Sequence, residues 1–368
     1  MKILALPNAL KGSLSARKAG QIFEHVLSKH HILRTYPVSD GGDGFLDFFQ
    51  KLDPQAQKIS LTVKNAFLQS KRTFLLLLSD GKTAIIETAK ICGLGNTKPT
   101  ELDPLGASSY GVGQAISAAV GHGAKVIYIG LGGVACNDGG AGMAAACGMQ
   151  LLDKKNRPLA LGAKSLLQLH TINLRVLKKR FRGIKIIGIA DVTNPLLGPL
   201  GSARVFGPQK GASPKQVHLL ERALSSWNDC IKNETGKDMA RLPSAGAAGA
   251  IAAGLYGCFG AQLLLGTQKL FEKIHLVKQI RWADLILTCE GKLDKQTFYG
   301  KAPGTLLTLA HKYHKPVLFI CGQLDGAIFR TAHPLPRQIV VLSDFAPTIQ
   351  EAQTHAATYL RRALKQLL

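Results

Sequence analysis

Aromatic residues make up only 6% of the 368-residue chain, and no run alternates Lys or Arg with Phe, Tyr or Trp. A binder of single-stranded nucleic acid pairs its phosphate-neutralising cations with stacking platforms, so that class loses its main support. Cysteine is scarce and scattered. Cys92, Cys136, Cys147, Cys230, Cys258, Cys289 and Cys321 form no Cys-x-x-Cys pair, and an odd, unclustered set in a chain this long argues for a reducing compartment and against a disulfide frame or zinc site. Long apolar runs are missing as well. The opening run, residues 1–6, stops at Pro7, Asn8 and Lys11, too early for a signal-peptide core. Residues 242–268 carry no charge, but Pro243, Gln262 and Gly246, Gly249, Gly254, Gly257 and Gly260 fit a packed Gly/Ala helix beside a loop better than a spanning helix. The expected protein is soluble and cytoplasmic, with no membrane partner.

Acidic residues are outnumbered, 23 Asp+Glu against 46 Lys+Arg, for a formal charge of +23. Such a surplus attracts nucleic acid, anionic lipid or small anionic substrates without choosing among them. The basic residues are dispersed, and the densest group, Lys178-Lys179-Arg180 with Arg182, reads as a solvated helix end before a strand. An apolar share of 46% and a charged share of 19% are ordinary for a folded protein. The length exceeds what one core usually serves, which favours two domains.

The pattern along the chain supports that division. Residues 1–6 and 32–38 read as strands around a helix whose apolar face runs through Ile22, Phe23, Val26 and Leu27, with Ser13 or Ser15 as cap. Ser39-Asp40-Gly41-Gly42-Asp43-Gly44 then forms a turn-rich loop before a helix at Phe45. From 59 to 89 the rhythm changes to short β-rich runs joined by tight turns, which suits antiparallel hairpins. Helix and strand alternate again over 110–120, 126–131 and beyond, and residues 285–288, 317–321 and 339–342 are continuous apolar runs of the kind buried on both faces of a parallel sheet. The fold expected is α/β with two different domains. Residues 1–60 and 270–368 build a Rossmann-like domain with a mainly parallel sheet, and residues 61–269 an inserted domain with a mixed sheet.

Several stretches carry chemistry. Strand 126–131 is followed by Gly132-Gly133-Val134-Ala135-Cys136-Asn137-Asp138-Gly139-Gly140-Ala141-Gly142 and an Ala-rich helix. Glycines let backbone approach an anion and a helix start offers N–H groups, so phosphate binding and tight helix packing are both open, with Asp138 as metal ligand or cap. Glu290-Gly291-Lys292-Leu293-Asp294 follows strand 285–288, and Gly300-Lys301-Ala302-Pro303 opens the next helix. Asp191-Val192-Thr193-Asn194-Pro195 ends strand 184–190, and Lys11-Gly12-Ser13 lies between the first strand and helix. Ligands of open α/β sheets gather at such strand ends. No His falls in these loops, which leaves a Ser-His-Asp hydrolase without a base. An early G-x-G-x-x-G, the mark of a nicotinamide dehydrogenase, is also absent. Carboxylates (Asp40, Asp138, Asp191, Glu290, Asp294), lysines (Lys11, Lys292, Lys301) and glycine-lined turns are the kit of phosphoryl transfer.

Those stretches, with Ser109-Tyr110-Gly111-Val112-Gly113, Phe206-Gly207-Pro208-Gln209-Lys210-Gly211-Ala212 and Ala245-Gly246-Ala247-Ala248-Gly249, give the chain its resemblance to the bacterial glycerate kinases of the first type, over nearly its whole length. The resemblance implies a cytoplasmic enzyme of two α/β domains that transfers the γ-phosphoryl group of ATP, with Mg2+, to glycerate in a cleft between the domains. The product would be 2-phosphoglycerate by preference, or 3-phosphoglycerate. Among the residues of these stretches, Asp191 is the expected base, Lys11 and Lys292 the expected anion clamps, and Glu290 and Asp294 the expected metal or water ligands. Ser13, Gly132, Gly133, Asn137, Asp138, Gly139 and Gly140 would hold the nucleotide, and Lys292, Lys301 and Asp40 the substrate. Nucleic acid is not an expected partner, and monomer and homodimer both remain open. The chain departs from the family pattern at Asn8, where Asp is usual, and at Val134, Ser244, Cys289 and Lys292. Those departures keep alive the alternatives of a weak or inactive kinase-fold binding protein and of a kinase for a related hydroxy acid.

Overall fold

The computed structural model describes residues 1–10, 12–39, 41–95, 97–298, 302–331 and 334–367. Its strands, in chain order, are β1 (Lys2–Pro7), β2 (Ile32–Thr35), β3 (Gln57–Lys64), β4 (Ser70–Leu77), β5 (Thr83–Glu87), β6 (Val126–Leu131), β7 (Gln150–Leu152), β8 (Thr171–Asn173), β9 (Lys185–Ala190), β10 (Gln262–Leu265), β11 (Leu285–Leu293), β12 (Val317–Leu324) and β13 (Gln338–Val341). The chain divides into two compact units, Met1–Asp40 with Asp47–Leu52 and Thr267–Leu368, and Gly41–Leu46 with Asp53–Gly266. A boundary near residue 60 would cut β3, which pairs along its whole length with β4 in the second unit.

In the first unit the strand order is β13-β12-β11-β1-β2, with every pairing parallel. Strands buried on both faces must be apolar at consecutive positions, and Ile3, Leu4, Ala5 and Leu6 of β1 are all buried. Helix Ala16–Leu27 starts where Ser15 accepts from the Lys18 N–H and buries Ala19, Ile22, Phe23 and Leu27. That stripe meets Leu360, Ala363 and Leu364 of helix Ala356–Leu367 in one core.

The second unit has a mixed sheet, β10-β9-β6-β5-β4-β3, in which β3, β4 and β5 are antiparallel neighbours and β5, β6, β9 and β10 run parallel. A separate hairpin joins β7 and β8. The core of the unit holds Val112, Ile116, Ile127, Ile129, Met143, Leu224, Trp227 and Leu255. The Lys178-Lys179-Arg180 group ends helix Arg175–Arg180 shortly before β9.

Three elements differ from the sequence reading. The uncharged stretch 242–268 holds the packed helix expected of it, Ile251–Phe259, which Gly260 ends at φ +69, but the chain then adds β10 to the sheet edge and enters helix Gly266–Lys273. Helix Pro214–Thr235, set by a capping box of Ser213 and Gln216 around Pro214, was not singled out by periodicity. β11 runs on to Leu293 because its register with β12 continues through Lys292 and Gln323, so Glu290 and Lys292 are strand residues and not loop residues. Among the described residues no helix is long and apolar enough to cross a membrane.

Candidate active site

At the carboxyl edge of the first sheet, β1 ends in Asn8, whose N–H donates to the Cys289 carbonyl at 3.1 Å. The Cys289 thiol donates back to the Asn8 carbonyl, and burial raises it well above the ordinary thiol range. The turn after β1 closes through Leu10 and Leu14, which exchange N–H···O bonds of 2.8 and 2.9 Å, and Gly12 supplies the φ of +78 that this reversal needs. Ser13 is half-buried beside it and lines a small pocket with Gly291, Gly322 and Gln323.

Glu290 lies 7% exposed in β11 and Asp294 is half-buried just past the strand. Thr297 joins them: its Oγ1 donates to Glu290 Oε2 at 2.8 Å and accepts from the Asp294 N–H at 3.3 Å. Lys292 is exposed on the same strand. Lys11, Asp40 and Lys301, expected as clamp and substrate ligands, lie outside the described residues.

The carboxyl edge of the second sheet is built from β5, β6 and β9. Gly132 and Gly133 follow β6 and reach the surface. Asp191 follows β9 and is exposed, one position past the Leu131–Ala190 pairing, as Gly132 is one position past it after β6. Glu87 ends β5 and is 2% exposed; it accepts from the Leu46 N–H at 3.0 Å, and burial pushes its carboxyl above the ordinary range. Thr88 donates to the Gly130 carbonyl at 2.8 Å. The Gly41-Gly42 loop passes directly over these strand ends. A Cβ on Gly41 would stand 2.5 Å from the Ile189 carbonyl oxygen, and one on Gly132 2.9 Å from the Gly42 Cα.

The rest of the glycine loop is interior. Asn137, Asp138, Gly139 and Gly140, expected as nucleotide ligands, are buried. Asp138 Oδ2 accepts from Ser109 N (2.7 Å), Ser109 Oγ (3.0 Å), Ser108 Oγ (3.2 Å) and Gly142 N (3.2 Å), and Oδ1 accepts from Gly140 N (3.3 Å). Burial still raises its carboxyl above the usual range. The start of helix Ala141–Ala146 is likewise satisfied from inside. Ala141 N donates to the Asp138 carbonyl, Gly142 N to the Asp138 carboxylate and Met143 N to Ser109 Oγ, which leaves those groups unavailable to a phosphate. Below the loop the Lys210 ammonium, 3% exposed, donates to the Cys136 carbonyl at 2.7 Å, and burial lowers its pKa. Trp227 Nε1 donates to the Gly139 carbonyl at 3.0 Å.

Both sheets thus present carboxylates and close-packed glycines at their carboxyl edges. The model of the glycerate kinase family matches residues 3–368. The chain belongs to the glycerate kinase family. It is 37% identical to the glycerate 2-kinase of Escherichia coli K12 over 371 residues, covering 100% of this chain and 97% of that one. Against the glycerate kinase of Haemophilus influenzae it is 35% identical over 327 residues, 88% of this chain and 86% of the other. A crystal structure of a Salmonella typhimurium LT2 protein assigned as glycerate kinase 2 is 33% identical, with a TM-score of 0.81 over 100% of this chain and 98% of that one.

Within this family member, the residues that sequence reasoning did not place are Thr88, Ser108, Lys210 and Thr297. Lys210 sits in one of the recognised stretches, and Thr297 only three residues beyond Asp294, so proximity to motifs was the signal available. Among the described residues no three His, Cys, Asp or Glu side chains come together as a metal cage. A phosphate-bound magnesium ion needs only one or two protein carboxylates, its remaining ligands being water and phosphate oxygens. Glu290 in β11 and Asp294 just past it, both bonded by the Thr297 hydroxyl, fit that lesser requirement.

Proposed function

We propose that this chain is an ATP-dependent glycerate kinase whose product is 2-phosphoglycerate. The observation that carries the reading is full-length similarity to the E. coli glycerate 2-kinase, with acidic groups standing at the strand ends where phosphoryl transfer needs them. Asp191, exposed just past β9, would accept the substrate's hydroxyl proton. Gly132, Gly133, Asn137, Asp138, Gly139 and Gly140 would form the nucleotide-binding loop, its outer glycines offering backbone to the phosphates. Ser13 would add to the nucleotide contacts, Lys11 and Lys292 would be anion clamps, and Lys292, Lys301 and Asp40 would contact the substrate. Glu290 and Asp294 would hold Mg2+, which when bound neutralises charge on the transferring phosphoryl group. The reading draws on residues of both units.

A coupled assay with ATP, Mg2+ and D-glycerate, with NMR identification of the product, tests it directly. ADP release with 2-phosphoglycerate formation supports the proposal, whereas no ADP favours a binding protein that keeps the kinase fold. Asp191→Asn and Asp294→Asn should each lower turnover at least ~100-fold, the usual size of a general-base contribution or more. Turnover near wild type in either variant removes that residue from the scheme.

A further inference from the structure

Thr297 is fully buried, in the short turn Lys295–Phe298. Its hydroxyl works in both directions: it accepts the Asp294 N–H at 3.3 Å and donates to Glu290 Oε2 at 2.8 Å, while its own N–H returns to the Asp294 carbonyl at 3.1 Å. The turn is pinned from behind. A Cβ at Gly304 would fall 2.2 Å from the Thr297 carbonyl oxygen and 2.9 Å from the Phe298 Cα, so glycine allows helix Ala302–Lys312 to close onto it. A Glu side chain has three rotatable bonds, and a hydrogen bond from a buried, backbone-anchored hydroxyl selects one carboxylate arrangement from among them.

We propose that Thr297 is a positioning residue for phosphoryl transfer, fixing the Glu290 carboxylate and the Asp294 main chain in a single arrangement. The proposal rests on the reading of Glu290 and Asp294 as reaction-site carboxylates. Thr297→Val keeps the shape and removes the hydroxyl; Thr297→Ser keeps the hydroxyl.

The test is a double-mutant cycle in the glycerate kinase assay on the full chain, with Thr297→Val, Thr297→Ser, Glu290→Gln and Thr297→Val/Glu290→Gln. Thr297→Val is expected to lower kcat about 10- to 100-fold, the usual effect of removing a partner that orients a ligand side chain. KM for glycerate should change little, and Thr297→Ser should recover most of the loss. In the Glu290→Gln background the valine substitution should cost almost nothing more, because a residue acting through Glu290 has nothing left to position. Wild-type kcat in Thr297→Val, or its full loss repeated on top of Glu290→Gln, overturns the proposal. An inactive wild-type chain, or Glu290→Gln at wild-type rate, instead overturns the reading on which it rests. If Thr297→Val fails to fold, Thr297→Ala enters the same cycle.

Discussion

Asp138 should be a stability residue of the second unit, and the size of its effect follows from its partners. Replacing it by Ala leaves the main-chain N–H groups of Ser109, Gly140 and Gly142 without their acceptor in a site that is 0% exposed at Asp138. An unsatisfied buried donor costs ~1–3 kcal/mol, so these three groups alone set a range of ~3–9 kcal/mol. The Ser108 and Ser109 hydroxyls can turn to other acceptors and add less. One term opposes this: burial raises the Asp138 carboxyl above the ordinary range, so removing the carboxylate relieves some desolvation. The lower half of the range is therefore the expectation, ~3–5 kcal/mol, as for other broken buried networks. Asp138→Asn can keep its amide oxygen at the Oδ2 position, and it loses chiefly the Gly140 bond, for about 2 kcal/mol.

The reporter is built in. Trp227 donates to the Gly139 carbonyl next to Asp138, and the chain has only one other tryptophan, Trp282, in the first unit. In a Trp282→Phe background, urea unfolding followed by Trp227 fluorescence reads the second unit alone. The expected result is a lower midpoint in the order wild type, Asn, Ala, at unchanged slope. A loss below ~1 kcal/mol in Asp138→Ala would show that the network is not what holds the loop.

Two further outcomes follow from the same strand ends. Gly41→Ala should destabilise the second unit by at least ~2 kcal/mol, since its Cβ would meet the Ile189 carbonyl oxygen at 2.5 Å and its φ is +92; an unchanged melting temperature would refute the close approach. Glu87 has a carboxyl raised chiefly by burial, so the stability it contributes is fully present below the ordinary glutamate range and is lost as pH rises through the higher folded value. The stability of wild type relative to Glu87→Gln should accordingly increase as pH falls from 7 toward 4, and a flat difference over that span would contradict the assignment.

Much of the framework was legible because its signals are local. Residues 126–131 form β6 over the range their apolar run predicts, and the tight turns between 59 and 89 produce antiparallel pairing. What escaped depends on partners distant in the chain. The length of β11 is fixed by its register with β12, some thirty positions on, and no feature of Cys289-Glu290-Gly291 announces it. The glycine loop read equally well as an open phosphate cradle or as tight packing. Its burial is decided by Ser108 and Ser109 on one side and by Lys210 and Trp227 on the other, and only the fold brings these together. Along the loop the exposure changes: Gly133 is exposed and Gly132 half-buried against Gly42, whereas the residues from Asn137 to Gly140 are buried.

The charge imbalance takes on a definite meaning from the same burial pattern. Among the described residues the buried acids are Glu87, Asp138 and Glu290, and Lys210 is the sole buried Lys or Arg. Three of the 22 described acidic residues (23 less Asp40) are thus buried, against one of the 44 described basic ones (46 less Lys11 and Lys301), so the described buried charges are mostly acidic where the chain is strongly basic. Burying a carboxylate is costly unless donors surround it, and each of these three accepts hydrogen bonds where strands end or loops turn. Selection for a basic protein in general would have no reason to keep acids in those positions. The +23 therefore describes chiefly the solvent-facing side chains of the described residues.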